Sequence, residues 1–380
     1  MVLSIGILAW NEEESIAVAL ESLFEQTVFA ELAARNLRAE ILVLANGCTD
    51  RTVPIVSGVF ETQLKRHPFR KALACRVYDI QERGRNHSWN LFVHEYSART
   101  ARCLYLMDGD IVLRHPQTIW NLFSALESNP QASVATDEAI KDISLKSRRS
   151  WRERISLATS RMNQSGGHAL MTGQLYCIRA SVARNIYLPK DLTACEDGLI
   201  RALACTEFLS RPMDPGRIVR VKDASHVFEA YTGAADVLKN QKRQIIGQTI
   251  VHILADQYLR ELPEVKRAPF AETMRENEAK DPAWLKRLIH AHLRRVRFFW
   301  RLFPGLLSYR FYRLARLPGW EKVRALPASM AGFCVTLIAS GMAWRALKRG
   351  STDYWPLTRS NNLRELKENG ESEMAASVTE

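Results

Sequence analysis

The chain has 380 residues, 47% of them hydrophobic and 25% charged, which is enough for one large domain with an appendage or for two domains. Its seven cysteines are an odd number without a C-x-x-C pair, which argues against a disulfide framework or a zinc site and for reduced, cytosolic thiols. The formal charge of +12 is concentrated in residues 286–324, where eleven Lys or Arg accompany one acidic residue, so that segment is expected to meet an anionic surface.

The N-terminal residues predict a strand, an acidic turn and a helix. Val2–Ala9 is an apolar run, and because no basic region precedes it we expect no signal peptide. Trp10 and Asn11 lead into three consecutive Glu, and apolar residues then recur at helical spacing over Ile16–Phe24. Asn11 is expected to cap this helix, and the Glu side chains suit the positive end of its dipole.

Two further strands are predicted at residues 40–45 and 75–80. The first ends in Asn-Gly-Cys-Thr-Asp, where Asn-Gly makes a turn and Thr49 or Asp50 can cap a helix beginning near Thr52. Strand, helix and strand over about forty residues form a βαβ unit of a parallel sheet. After the second of these strands, Gly84-Arg85 opens a helix that is expected to run to about residue 99.

A fourth strand is predicted directly before Asp108-Gly109-Asp110. The preceding run from Cys103 to Met107 is apolar throughout, as in a strand buried on both faces of an α/β sheet. Ligands in open α/β sheets sit outside the carboxyl ends of such strands, which puts the two carboxylates at the mouth of a site. Two hard oxygen donors at this spacing suit Mg²⁺ or Mn²⁺ shared with a diphosphate. A surface turn is the alternative, because Asp and Gly are turn residues.

These motifs together resemble a family-two glycosyltransferase, and the resemblance covers roughly residues 2–247. The motifs, in order, are Trp10-Asn11-Glu12-Glu13, Asn46-Gly47-Cys48-Thr49-Asp50, Gly84-Arg85 through Asn90, and Asp108-Gly109-Asp110. The resemblance implies an α/β chain with the GT-A fold, a Rossmann-like nucleotide-diphospho-sugar transferase fold with a mixed, mostly parallel sheet.

The same resemblance implies a donor site and a metal. The donor, expected to be a UDP-sugar, is assigned to Asn11, Glu12, Asn46, Asp50, Arg85 and Asp108, and Mn²⁺ or Mg²⁺ to Asp108 and Asp110. Two departures matter. The family's Asp-Asp in the second motif is Ala45-Asn46 here, which leaves the base less certain, and its Lys after Gly is Arg85, which keeps a cation for the diphosphate.

Cys195-Glu196-Asp197 resembles the family's Thr-Glu-Asp motif, which supplies the general base. Asp197 and Glu196 are therefore the expected catalytic residues. The alternative is that both carboxylates only stabilise the start of the following helix, worth roughly 0.3–1 kcal/mol.

Two segments resemble the family's acceptor-binding parts. Residues 166–176 resemble the Gly-containing acceptor loop, in which Gly173 lets the backbone approach a sugar closely and Gln174 follows it. Residues 240–247 resemble the Gln-x-x-Arg-Trp segment of processive members, with Arg243 and Gln244 at the acceptor. Gln244 stands where those relatives have Trp, so processivity is not implied.

The C-terminal third predicts membrane association. Arg alternates with aromatic residues through residues 286–317, as in an interfacial helix or a nucleic-acid surface. Residues 325–344 then carry no charge for twenty positions, which is long enough to span a bilayer. A re-entrant or surface-lying segment and a buried core helix are the alternatives. Because the basic segment adjoins an apolar one, the expected partner is an anionic membrane surface and not nucleic acid.

The sequence therefore predicts an inverting, metal-dependent glycosyltransferase at the cytoplasmic side of the inner membrane. The partners are a nucleotide sugar and a lipid, lipid-linked or polysaccharide acceptor. The predicted organisation is a catalytic domain at 1–250, a basic helical region at 251–324, an apolar segment at 325–345 and a polar tail at 346–380. A sugar-nucleotidyltransferase and a catalytically silent nucleotide-sugar-binding membrane protein are the alternatives. The acidic residues after the first strand argue against the former.

Overall fold

The computed structural model describes residues 1–146, 148–150, 153, 157, 171–231 and 233–351. The strands in this part of the chain are β1 Leu3–Ala9, β2 Ala39–Asn46, β3 Leu73–Ile80, β4 Cys103–Asp108, β5 Ile111–Leu113, β6 Val134–Lys141, β7 Leu175–Arg179 and β8 Ile218–Phe228. They form one sheet in the order β3-β2-β1-β4-β7-β6-β8-β5.

The sheet is mixed, as predicted. Strands β3, β2, β1 and β4 are parallel neighbours, and β7 runs antiparallel between β4 and β6. Strand β8 pairs parallel with β6 and antiparallel with the short β5. The four strands predicted from the N-terminal motifs are confirmed to within two residues at each end.

Helices cover both faces of the sheet. They are α1 Ile16–Phe24, α2 Val28–Ala34, α3 Thr52–Arg66, α4 Arg85–Leu91, α5 Thr118–Ser128, α6 Ala180–Ala183, α7 Glu196–Cys205, α8 Ala234–His252, α9 Glu264–Arg267, α10 Phe270–Lys280, α11 Trp284–Arg295, α12 Tyr309–Arg316 and α13 Gly319–Lys348. Helices α4 and α8 continue as wider π-helical turns over Phe92–Tyr96 and Ile253–Leu259.

Alternation along the central strands explains why both faces carry a core. In β1, Ile5 and Ile7 pack with α1, α2 and α3, whereas Leu8 faces the opposite side. In β4, Tyr105 joins the first face and Leu106 the second. Successive side chains of a strand point to opposite faces, so a continuous apolar run supplies both layers at once.

One prediction about the first turn is wrong. Asn11 does not cap α1, because the helix begins only at Ile16, after Ser15. The residues between Ala9 and Ile16 instead form a tight turn in which the Glu12 carbonyl accepts the backbone N–H groups of Ser15 and Ile16. Asn11 itself has a left-handed backbone with φ 55°, a conformation that Asn tolerates better than most residues.

The C-terminal helices share a core with the sheet. One apolar cluster runs from Leu106 of β4 through Ile250 of α8 and Phe270 of α10 to Leu293 of α11 and Ala343 of α13. The end of the catalytic domain at residue 250 remains a prediction. Apolar side chains before and after that residue pack against each other in this cluster. Residues 166–170 of the predicted acceptor loop and residues 352–380 of the predicted tail lie outside the described residues.

Gly6 provides a test of this packing. A Cβ at this position lies 2.7 Å from ring atoms of Phe92, which is itself fully buried. We expect Gly6→Ala to lower the free energy of unfolding by about 1–3 kcal/mol, since overpacking a tight core forces side chains off their rotamers. Urea denaturation measures the change.

Gly58 is the matched control. It lies in the exposed interior of α3, where a Cβ meets nothing within 4 Å. Gly58→Ala should be neutral or stabilising by up to about 1 kcal/mol, because Ala is the better helix former. Equal stability of the two variants contradicts the close approach of β1 to Phe92.

Candidate active site

Four parallel strands deliver the predicted motifs to one edge of the sheet. The carboxyl ends of β3, β2, β1 and β4 lie side by side there, and the antiparallel β7 begins at the same edge. Gly84-Arg85, Asn46, Trp10-Glu12 and Asp108 therefore follow in that spatial order, with Gly173-Gln174 beyond them. The site lies at the carboxyl edge, as expected for an open α/β sheet.

Arg85 joins the strand motif to the helix motif. Its guanidinium donates to Oδ1 of Asp108 at 2.5 Å, to Oε1 of Glu196 at 2.6 Å and to the carbonyl oxygen of Gly173 at 2.8 Å. All three ionised side chains are nearly buried, with 15% or less of each exposed. The fork of donors on a guanidinium suits this task, which a single ammonium group cannot do in the same geometry. Arg85 was expected to bind the donor diphosphate, but its guanidinium binds two carboxylates and one carbonyl group of the protein itself.

The mouth of the site holds an excess of buried negative charge. Burial raises the pKa of Glu12 to about 9, with Asp110 as the strongest charged contributor. Burial also raises the pKa of Asp108 to about 7, Arg85 opposes that shift, and Asp110 adds to it. Like charges held together in a low dielectric disfavour ionisation. This group of carboxylates is therefore suited to receive positive charge.

The residues present fit a divalent cation shared with a ligand. Oδ2 of Asp108 is buried without a hydrogen-bond partner, although Oδ1 is paired with Arg85. Asp110 lines the same cavity. Within the described residues no group of three or more His, Cys, Asp or Glu is arranged to hold a metal by itself. Two protein carboxylates with the remaining oxygens from a diphosphate match the way Mg²⁺ is commonly bound.

The carboxylates of the third motif begin a helix whose entry is strained. Helix α7 starts at Glu196, and the preceding Cys195 has a left-handed backbone with φ 61°. Gly247 of α8 approaches this turn so closely that a Cβ there lies 2.5 Å from the carbonyl oxygen of Ala194. Such strain persists only where surrounding structure over-determines it. Helix α8 thus helps to hold Glu196 and Asp197 in place.

Asp197 has the electrostatic character of a proton acceptor. Burial raises its pKa to about 6, the neighbouring Glu196 adds to the shift, and the N–H of Gly198, which donates to Oδ1 at 2.9 Å, opposes it. A carboxylate that is largely ionised near neutral pH but more basic than an ordinary Asp can take a proton from a hydroxyl group.

The predicted acceptor residues lie next to these carboxylates. A Cβ on Gly173 falls 3.5 Å from Oε1 of Glu196 and 3.7 Å from Cβ of Asp197, so position 173 lies in van der Waals contact with both acidic residues. The carbonyl of Gln174 accepts the backbone N–H of Asp108 at 2.8 Å. On α8, the positive charge of Arg243 acts on Asp197, and Oε1 of Gln244 accepts the Cys195 thiol at 3.1 Å.

Three residues predicted to bind the sugar donor accept hydrogen bonds from backbone N–H groups of the turns around the site. Oδ1 of Asn11 accepts the backbone N–H of Thr49 at 2.8 Å. The carboxylate of Asp50 accepts the N–H of Thr52 at the start of α3, which confirms its predicted capping role, and the N–H of Glu13 as well. Oδ1 of Asn46 accepts the N–H of Gly84 at 2.7 Å. These contacts fasten the turns after β1, β2 and β3 to one another.

A cavity of about 290 Å³ opens at this edge. Glu12, Asp108 and Asp110 line it. Arg83 and Trp10 line it as well, and the guanidinium carbon of Arg83 lies 3.5 Å from the centroid of the indole ring. Its polar lining residues include Glu12, Asn46, Arg83, Arg85, His87, Asp108, Asp110, Lys190, Asp191, Thr193 and Lys286.

Sequence reasoning missed a buried pair behind the site. Nδ1 of His226 on β8 lies 2.7 Å from Oδ2 of Asp137 on β6, and Nε2 lies 3.3 Å from Oε1 of Gln174. The side chains of His226 and Asp137 are fully buried. This pair fastens the residue that follows Gly173. No local signal identified it, because the two residues stand 89 positions apart and meet only through strand pairing.

Comparison with known proteins gives one family match. The model of the family described as "Glycosyl transferase family 2" matches residues 4–184. No curated protein matches this chain. Similar solved structures include Staphylococcus aureus TarS 1–349 in complex with UDP-GlcNAc, at 15% identity, 95% coverage of each chain and a TM-score of 0.46. Another is glucosyl-3-phosphoglycerate synthase from Mycobacterium tuberculosis with Mn²⁺, UDP-glucose and phosphoglyceric acid, at 14% identity, 66% and 79% coverage and a TM-score of 0.43.

The fold and the acidic edge define the class: a GT-A α/β enzyme whose strand-end and helix-start carboxylates share one site. The matched segment contains β2 through β7, all of β1 except Leu3, and the four motifs between Trp10 and Asp110. Residues 4–184 form a glycosyltransferase family 2 domain, and the chain is a glycosyltransferase. The predicted nucleotidyltransferase alternative is thereby set aside.

Arg85→Met tests the central ion pairs. Removing the guanidinium leaves Asp108 and Glu196 buried without it, and breaking buried pairs in this way typically costs about 3–5 kcal/mol. The resulting loss of stability should be smaller at low pH than at high pH. Without Arg85 the folded-state pKa of Asp108 lies still further above its unfolded value, so protonation as pH falls through that pKa relieves the cost.

Urea unfolding at pH 8 and pH 5, in EDTA, measures both effects. The control is Lys65→Met, which removes an exposed ion pair with Glu61 on the same helix, α3, and should leave stability nearly unchanged. An Arg85→Met deficit that is small, or the same at both pH values, contradicts the proposed burial of unpaired charge.

Proposed function

We propose that this glycosyltransferase moves a sugar from a nucleotide-diphosphate donor, expected to be a UDP-sugar, to an acceptor hydroxyl with inversion at the anomeric carbon. The observation that carries the proposal is the Arg85 bridge. It brings Asp108, at the end of β4, and Glu196, beside Asp197 at the start of α7, to one guanidinium. A donor-side carboxylate and the immediate neighbour of the candidate base are therefore held by one side chain.

Asp197 is the proposed general base. Its carboxylate lies at the start of α7 beside the Gly173 backbone, where an acceptor sugar can approach without meeting a side chain. Glu196 is held by Arg85 and is proposed to position its neighbour. A single base opposite the leaving group supports one displacement and therefore inversion.

Asp108 and Asp110 are the proposed holders of Mn²⁺ or Mg²⁺. Such an ion supplies Lewis-acid stabilisation of the leaving diphosphate. The support is the buried, hydrogen-bond-free Oδ2 of Asp108 and the raised pKa of Glu12 and of Asp108, to which the charge of Asp110 contributes and which a cation relieves. Arg85 holds Asp108 in a fixed orientation for that role.

Two variants separate these roles. Asp110→Ala should abolish metal-dependent transfer and weaken binding of a nucleoside diphosphate in Mn²⁺. Asp197→Asn should keep that binding while reducing transfer by about 10²–10⁴-fold, the usual contribution of a general base. Calorimetric titration and donor turnover measure the two quantities, and NMR of the product gives the anomeric configuration.

The control is Asp79→Asn, an exposed carboxylate on β3 outside the cavity. It should match the wild type in binding and turnover. Wild-type turnover in Asp110→Ala overturns the metal assignment. Equal loss of binding and transfer in Asp197→Asn reassigns that residue to folding. Retained donor binding without transfer in the wild-type chain supports the catalytically silent alternative.

The proposed acceptor is a lipid, a lipid-linked sugar or a polysaccharide at the cytoplasmic face of the inner membrane. Within the described residues, α13 is a helix long and apolar enough by length and composition to cross a membrane, and 22% of its apolar window is buried. Its second half packs through Ala339 and Ala343 into the core shared with α8. The exposed first half, about fifteen residues, is about 22 Å long, shorter than the roughly 30 Å hydrocarbon core.

A surface-lying arrangement therefore has more support than a span. Trp320 and Val323 of α13 are 70% and 57% exposed, and Tyr312 of α12 lies nearby in the chain at 59%. Arginines pair with the aromatic rings of α12, as Arg316 does with Tyr312 at 4.2 Å. Apolar and aromatic side chains among cations suit an anionic bilayer surface.

Vesicle sedimentation tests this arrangement. The wild-type protein should pellet with phosphatidylglycerol-containing vesicles, and less so in high salt or with phosphatidylcholine alone. Trp320→Ser with Val323→Ser should reduce pelleting several-fold. The control, Val265→Ser, removes a 77% exposed apolar residue elsewhere and should leave pelleting unchanged. Resistance of membrane-bound protein to carbonate extraction contradicts the surface arrangement and supports a span.

A further inference from the structure

One wall of the donor cavity comes from residues beyond the segment that matches the family. Lys190, Asp191 and Thr193 line it, and so does Lys286 of α11, although the family match ends at residue 184. The basic C-terminal region was expected to serve only a membrane surface. In the structure it contributes a cation to the cavity that holds Asp108 and Asp110.

This wall is anchored from two sides. The backbone N–H of Lys190 donates to Oε1 of Glu278 on α10 at 2.7 Å, and the hydroxyl of Tyr187 donates to Oε2 of the same carboxylate at 2.9 Å. Nδ2 of Asn86 on α4 donates to the carbonyl of Pro189 at 3.2 Å. The Lys190–Asp191 segment is thus held in position before any ligand arrives.

The wall lies at the end of the cavity away from the proposed base. The Lys190 ammonium pairs with Glu82, which follows β3, and β3 is the edge strand beside β2. Asp197 and Gly173 lie on the other side of β4, next to β7. With the diphosphate at Asp108 and Asp110, between these two ends, the nucleoside occupies the β3 side and the transferred sugar the Asp197 side.

The nucleoside end lacks the side chain that reads the base in the resembling family. Ala45 replaces one aspartate of that motif and is fully buried. Asn46 replaces the other, and its Oδ1 already accepts the N–H of Gly84. Neither position presents a carboxylate to a base, so another acceptor is required there for selective binding.

We propose that Asp191 and Lys286 recognise the hydrogen-bonding edge of the donor's base. Nζ of Lys286 lies 3.5 Å from Oδ1 of Asp191, which sets one acceptor beside one donor in the cavity wall. The edge of uracil offers the complement, N3–H as donor and O4 as acceptor. Only 15% of the Asp191 side chain is exposed, so hydrogen bonds to it are shielded from water. This inference rests on the proposed nucleotide-sugar donor.

The experiment is calorimetric titration of the full chain with UDP, CDP, GDP and ADP in Mn²⁺. We expect the wild type to prefer one nucleotide, UDP in the first instance. Asp191→Asn and Lys286→Met should each lower the affinity for the preferred nucleotide by about 10- to 100-fold, the range for a hydrogen bond to a charged group. The affinity for the weakly bound nucleotides should change by less than about threefold, so the selectivity for the preferred nucleotide falls.

Lys280→Met is the matched control. Lys280 lies at the end of α10, pairs with Glu276 on its own helix and does not line the cavity. It should bind all four nucleotides as the wild type does. A circular dichroism melt accompanies each variant, and Lys286→Met, which is half exposed, provides the test if Asp191→Asn does not fold.

The outcomes separate the two proposals. Wild-type affinity and selectivity in both folded variants overturn the base-reading pair and leave the proposed donor intact. Equal weakening of all four nucleotides also overturns it, because the pair then acts on the shared diphosphate. If the wild type binds no nucleoside diphosphate, the proposed donor fails and the base-reading pair fails with it.

Discussion

The site depends on one buried guanidinium. Arg85 satisfies Asp108, Glu196 and the Gly173 carbonyl at once, and each of these belongs to a different motif. Burying two carboxylates costs several kcal/mol per ion unless a well-placed opposite charge compensates. A planar fork of donors provides that compensation in a fixed geometry, which explains why Arg serves here better than Lys. The strand end and the helix start are held together by electrostatics as much as by packing.

The buried carboxylates that Arg85 does not neutralise bear on the proposed function. One cation, Arg85, pairs with both Asp108 and Glu196. Glu12 and Asp110 lie at the same edge, and the charge of Asp110 contributes to the raised pKa of Glu12 and of Asp108. This excess of buried carboxylate supports the proposed divalent cation, whose charge would favour the ionised forms. Asp197 stands apart from this group with a pKa raised to about 6, as suits a group that takes a proton. The two kinds of carboxylate are separated by their environment and not by residue type.

The C-terminal helices connect the donor cavity with the proposed membrane surface. Helix α8 holds the turn before Glu196 through Gly247 and also packs against α13. Helix α11 contributes Lys286 to the cavity, and α12 and α13 carry the exposed aromatic residues. These helices complete the same core as the sheet, so they are structural parts of the catalytic unit. The proposed docking at a lipid surface would therefore fix the orientation of the donor and acceptor ends relative to that surface.

The sequence by itself determined the central strands, the position of Asp108-Gly109-Asp110 at a strand end and the presence of a helix next to Glu196 and Asp197. These follow from hydrophobic runs and turn residues that act over a few positions. It did not determine where α1 begins, because the turn after Ala9 is set by Thr52, Asp50 and Thr49 from another loop. The tertiary structure alone decided the partners of Arg85, one of them 111 positions away, the His226–Asp137 pair and the place of Lys286. Such contacts depend on which strands become neighbours and how helices fold back, and no local pattern in one sequence encodes that.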